Sequence, residues 1–88
     1  MQTIHKARLS PHLGLESIPM NLESKILHVG VQHEQICIWY LCNPAMGMTY
    51  RHFNKVPTGG SFIDRVSKYL GTVLLDNGHY VVHIFEEG

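Results

Sequence analysis

Residues 68–87 read KYLGTVLLDNGHYVVHIFEE, and they decide the fold. Asn77-Gly78 is a strong hairpin signal, because both residues tolerate the positive φ that a type I′ turn needs. A two-residue loop sets Leu75 opposite Tyr80, Leu74 opposite Val81, Val73 opposite Val82 and Thr72 opposite His83. Gly71 then faces Ile84, and Leu70 faces Phe85. A three-residue Asp76-Asn77-Gly78 loop with a bulge at Gly78 is the alternative, and it moves one strand by one residue. In the first register Leu75, Val73, Tyr80, Val82 and Ile84 share one face, while Leu74, Leu70, Val81 and Phe85 share the other. Both faces are apolar, which predicts cover on both sides, from the domain or from a second copy of the chain.

A second hairpin stands upstream. KILHVGVQ (25–32) and QICIWYLC (35–42) flank His33-Glu34. A two-residue loop pairs Gln32 with Gln35, Val31 with Ile36, Val29 with Ile38 and Leu27 with Tyr40. Neither His33 nor Glu34 takes positive φ readily, so a longer loop is expected. Residues 2–9 alternate weakly and suit an edge strand guarded by Lys6 and Arg8. SPHLG (10–14) is a turn, and 15–20 a short strand whose Pro19 belongs at a sheet edge or a strand end. NPAMG (43–47) is a loop, MTYRHFN (48–54) a strand and KVPTGG (55–60) another loop. Ser61 followed by Asp64 is a weak capping box, which allows one or two helical turns over 61–67. The pattern predicts an all-β domain: a small antiparallel sandwich or barrel of six to seven strands, with at most one short helix near 61–67.

Composition narrows the class. Eighty-eight residues make one domain with a thin core. Seven basic and seven acidic side chains cancel, so there is no basic excess of the kind a dedicated nucleic-acid binder carries. Zero net charge and two-faced apolar hairpins together predict a homo-oligomer. The seven histidines are scattered and would make the protein cationic below about pH 6. Cys37 and Cys42, five positions apart in one strand, would sit roughly 16 Å apart on opposite faces. A disulfide needs about 4.4–6.8 Å, so two reduced thiols are expected. No apolar run approaches the roughly 20 residues of a membrane span, and MQTIHKARL lacks the apolar core of a secretion signal.

KILHVGVQ, ICIWYLCNP, TYRHF, the PTGG loop, YLGTVLL and YVVHIFEE together resemble a family of short, largely uncharacterised proteins of tailed bacteriophages. The resemblance runs from Thr3 to Glu87 and rests on strand cores and turns. The chain departs from that pattern at His33-Glu34, where the family favours Asn-Gly, and at PTGGSF, which replaces a GTGHPIP-type loop. The resemblance implies an all-β fold and a phage origin, and names no chemistry.

His28, Cys37 and His83 are the leading metal-ligand types, but they lack the close-spaced pair that zinc sites use, so neither metal nor cofactor is expected. Both cysteines lie in apolar runs, which suits core thiols rather than nucleophiles. The acids stand in turns, at strand ends or alone, with no acid–base pair in view. Thr58-Gly59-Gly60-Ser61 is the leading anion site: two glycines lead to a possible helix start, with Lys55 and Arg65 flanking. Tyr50, Arg51, His52 and Phe53 form an aromatic–basic strand of the kind found in binding surfaces. Alternation sets Tyr50 and His52 on one face, Arg51 and Phe53 on the other. Phe53 and Trp39 are expected in the core.

These readings predict a non-enzymatic phage accessory protein of the host bacterial cytoplasm. It would act by binding and inhibit an anti-phage defence system, either by occluding a defence protein or by sequestering a nucleotide signal as an oligomer. A virion structural or assembly protein is one rival. A small nucleotide hydrolase using histidine is the other.

Overall fold

The computed structural model describes residues 1–61 and 67–88. Its strands are β1 (Thr3–Arg8), β2 (Gly14–Asn21), β3 (Lys25–Gln32), β4 (Gln35–Cys42), β5 (Met48–Pro57), β6 (Ser67–Leu75) and β7 (Tyr80–Glu87). They form two antiparallel sheets, ordered β1-β4-β3 and β2-β5-β7-β6. The sheets stay separate, which makes the fold a sandwich rather than a closed barrel. A shortest dimension of 17 Å leaves room for two layers and no third. No helix occurs among the described residues; most of the segment read as a possible helix, 62–66, lies outside them, and Ser67 already belongs to β6.

Alternation along the strands builds the core. Ile18 and Met20 of β2, Val29 of β3, Ile36, Ile38 and Tyr40 of β4 and Phe53 of β5 face inward. Val73, Val82 and Ile84 complete the layer from the C-terminal hairpin. That hairpin keeps the predicted register from Leu75–Tyr80 to Gly71–Ile84. Its turn is reached with Asp76, Asn77 and Gly78 all at positive φ. Pairing then skips Leu70, so Tyr69 rather than Leu70 faces Phe85. Only one face of the hairpin packs on this chain's other sheet, and Leu74 on the far face is 58% exposed.

Four local expectations need correction. The β3–β4 loop is two residues long, not longer: His33 (φ 52°) and Glu34 (φ 59°) both adopt the left-handed conformation that a tight hairpin demands. The strand twist selects the turn and overrides residue preference. Pairing in this hairpin holds from Gln32–Gln35 to His28–Trp39, then skips Leu27, so Ile26 and not Leu27 meets Tyr40. Lys55 to Pro57 continue β5, because β7 supplies a pairing partner there. Trp39 lies half-buried on the outer face of the three-stranded sheet instead of in the core. A Cβ on Gly30 would approach its ring to 3.4 Å, so the indole lies over that glycine.

Candidate functional site

β5 sorts the residues singled out from its sequence onto two faces. Tyr50 (67% exposed) and His52 point outward, and His52 Nδ1 lies 2.7 Å from Ser17 Oγ on β2. Arg51 points inward. Its Nε and Nη2 donate to Glu86 Oε2 and Oε1 at 2.6 and 2.8 Å, and Nη1 donates to the Ser24 carbonyl. The bidentate pair joins β5 to β7, and the bond to the Ser24 carbonyl ties the β2–β3 turn to β5. Lys55 is only 2% exposed. Its Nζ donates to Ser10 O (2.8 Å), Ser10 Oγ (3.1 Å) and Glu16 Oε1 (2.5 Å), matching three donors with three acceptors. Burial alone would raise the Glu16 pKa, but the bonds from Lys55 and the Ser10 N–H outweigh it, and the carboxyl titrates below its ordinary 4.5.

The glycine pair is set by the geometry of its own turn. The Gly60 N–H donates to Pro57 O at 3.0 Å, and Gly59 sits at φ 81°, as the third residue of a type II turn requires. A Cβ on Gly60 would come within 2.9 Å of the Pro57 ring carbons. Thr58 Oγ1 lies 2.7 Å from His83 Nε2, which joins the turn to β7. Ser61 follows it, exposed. Arg65 lies outside the described residues.

The residues that do come together form the outer face of the four-stranded sheet. His83 Nδ1 lies 2.9 Å from Thr72 Oγ1, which lies 2.6 Å from the Tyr69 hydroxyl. Thr58, His83, Thr72 and Tyr69 thus form a continuous chain of hydroxyl and imidazole groups from the turn after β5 across β7 to β6. The Tyr69 ring meets Phe85 edge-on at 5.5 Å. Leu74 of β6, Leu15 of β2 and Tyr50 of β5 stand exposed on the same face of the sheet. A hydrogen-bonded polar spine bordered by exposed aromatic and aliphatic side chains suits protein recognition, with area from the rings and orientation from the spine. The hairpin register alone places Thr72 opposite His83. Thr58 joins them only because β5 runs beside β7, a long-range pairing with no local signal, while Tyr50 lies further along β5, beyond the end of that pairing.

The metal-ligand types are dispersed. His28 and Cys37 belong to the three-stranded sheet, with the His28 ring 5.9 Å from Trp39, while His83 belongs to the other sheet. Among the described residues no group of three His, Cys, Asp or Glu side chains could hold a metal ion. Cys37 and Cys42 are both free and buried. No helix among the described residues is long and apolar enough to cross a membrane.

A family model described as a domain of unknown function, DUF7352, matches residues 1–88, and the chain belongs to that family. No curated protein and no solved structure gives a significant match.

Proposed function

We propose that this chain is a phage accessory protein that acts by binding. It covers part of a bacterial anti-phage defence protein in the host cytoplasm, working as a homo-oligomer. The observation that carries the reading is the outer face of the four-stranded sheet, where Leu15, Tyr50, Tyr69 and Leu74 stand more than half exposed on a hydrogen-bonded ladder. Large apolar side chains exposed on one sheet face of a small protein mark an interaction site, and tyrosine is among the residues that dominate binding energies. The ladder supports the side chains rigidly, which keeps the ordering cost of association low. The phage setting rests on the resemblance of the strand cores to tailed-phage proteins.

The test is affinity capture from host lysate with tagged wild-type chain beside a Tyr50→Ser, Leu74→Ser double variant of unchanged fold. A host defence protein retained in stoichiometric amount by the wild type and lost by the variant is the expected result. Abundant copies of the chain in purified phage particles would favour the virion role instead. A co-purified nucleotide that is chemically changed on incubation with the pure chain would favour the hydrolase.

A further inference from the structure

β3 and β6 pack against each other at one edge of the sandwich, and each carries a pairing irregularity there, at Leu27 and at Leu70. Both extra residues line one cleft of about 400 Å³. Bulges bend a strand and re-aim its side chains, and they are over-represented next to binding and active sites. Two bulges opening onto one cleft from opposite sheets are a built feature of this fold, not an accident of a single strand.

The charge in the cleft is unbalanced. Arg51 lies against it, but Glu86 and the Ser24 carbonyl already occupy that guanidinium. Lys25 and Lys68 also line the cleft, both exposed. Among the described residues neither has an ion-pair or side-chain hydrogen-bond partner. Among the described lining residues, three cations against one carboxylate leave two positive charges in one recess of a chain whose net charge is zero. Ile26, Leu27 and Leu70 supply aliphatic surface in the same recess.

We propose that this cleft binds a phosphate monoester of a small organic group. The phosphate dianion lies between the Lys25 and Lys68 ammoniums, and the organic group lies against Ile26 and the two bulge leucines. Two ammoniums match a dianion in charge. The volume lies within the roughly 300–1,000 Å³ typical of small-molecule sites and exceeds what inorganic phosphate alone would fill. The site is independent of the outer-face reading: a protein partner can occupy that face with the cleft empty, and a ligand can occupy the cleft with no partner bound.

The test is calorimetric titration of the full chain with adenosine monophosphate and with phenyl phosphate. Inorganic phosphate and adenosine serve as part-ligands. Saturable binding of one monoester per chain is expected, weaker for either part-ligand and weakened by salt. A Lys25→Gln, Lys68→Gln double variant, which changes only exposed side chains, should bind roughly tenfold more weakly or worse, a loss of about 1.4 kcal/mol or more. A Leu74→Ser variant on the outer face should bind as the wild type does. Absence of saturable binding of both monoesters at millimolar concentration would overturn the proposal. So would equal binding by the double lysine variant.

Discussion

Lys55 shows how a single side chain closes this sandwich. Its ammonium is buried where β1 leads into β2, and without Glu16 it would be a buried charge with neutral partners only. Glu16→Gln should therefore destabilise the fold by about 3 kcal/mol, near the lower end for breaking a buried pair because the carboxylate keeps partial contact with water. The same pair sets an acid limit. The Glu16 pKa is depressed in the folded chain, so the unfolded chain takes up the proton first as pH falls. The stabilisation is complete above the ordinary carboxylate value of 4.5 and is lost as pH drops through the lower folded value. Urea melts from neutral pH down past 4.5 should show this loss in the wild type and a flatter profile in Glu16→Gln. Gly60 is a second fixed point. Adding a Cβ that meets the Pro57 ring at 2.9 Å should cost about 1–3 kcal/mol in Gly60→Ala, read as a lower urea midpoint at unchanged slope. A midpoint equal to wild type would show that the turn gives way easily.

At the scale of elements, the two hairpin tips meet. The Asp76 N–H donates to Glu34 Oε2 at 2.9 Å, joining the β6–β7 tip to the β3–β4 tip. His33 and Glu34 hold left-handed backbone, which costs an ordinary L-residue roughly 1–2 kcal/mol and Asn less. His33→Asn should raise the melting temperature by several degrees, on the order of 4–8 °C per kcal/mol for a domain of this size. Glu34→Gly should gain little, because the relief of backbone strain comes with loss of the contact to Asp76. Differential scanning calorimetry of the two variants separates the effects, and equal gains would mean that the tip contact contributes nothing. The hairpins were legible in the sequence because turn residues and alternation are local. The all-β class and most of both registers followed from them. The bulges at Leu27 and Leu70 were not legible, since neither residue differs in type from its neighbours and only packing of β3 against β6 sets them apart. Lys55 read as an exposed loop cation because nothing local reveals that β7 pairs alongside or that Ser10 and Glu16 converge on its ammonium. Tyr50 and His52 were placed on a common face by alternation alone, while their neighbours on that face come from strands distant in sequence.

At the scale of the whole molecule, the two sheets cover each other's inner faces, and Leu15, Tyr50 and Leu74 stand exposed on the outer face of the four-stranded sheet. Zero net charge removes the long-range repulsion that would keep copies apart. Light scattering at tens of micromolar should give a mass of at least twice the 10.0 kDa chain, and a clean 10.0 kDa species would remove the homo-oligomer from the proposal. The proposed inhibitory role depends on Leu15, Tyr50 and Leu74, three exposed side chains from three strands of one sheet. Changing all three to Ser leaves the core cluster untouched, since none of them belongs to it. The most direct measurement is phage plating efficiency on a defence-bearing host that expresses either the wild-type chain or this triple variant, with equal folding verified by circular dichroism. The wild type should restore plating and the triple variant should fail to do so. A folded triple variant that restores plating as fully as the wild type would contradict the assignment of this face as the binding surface.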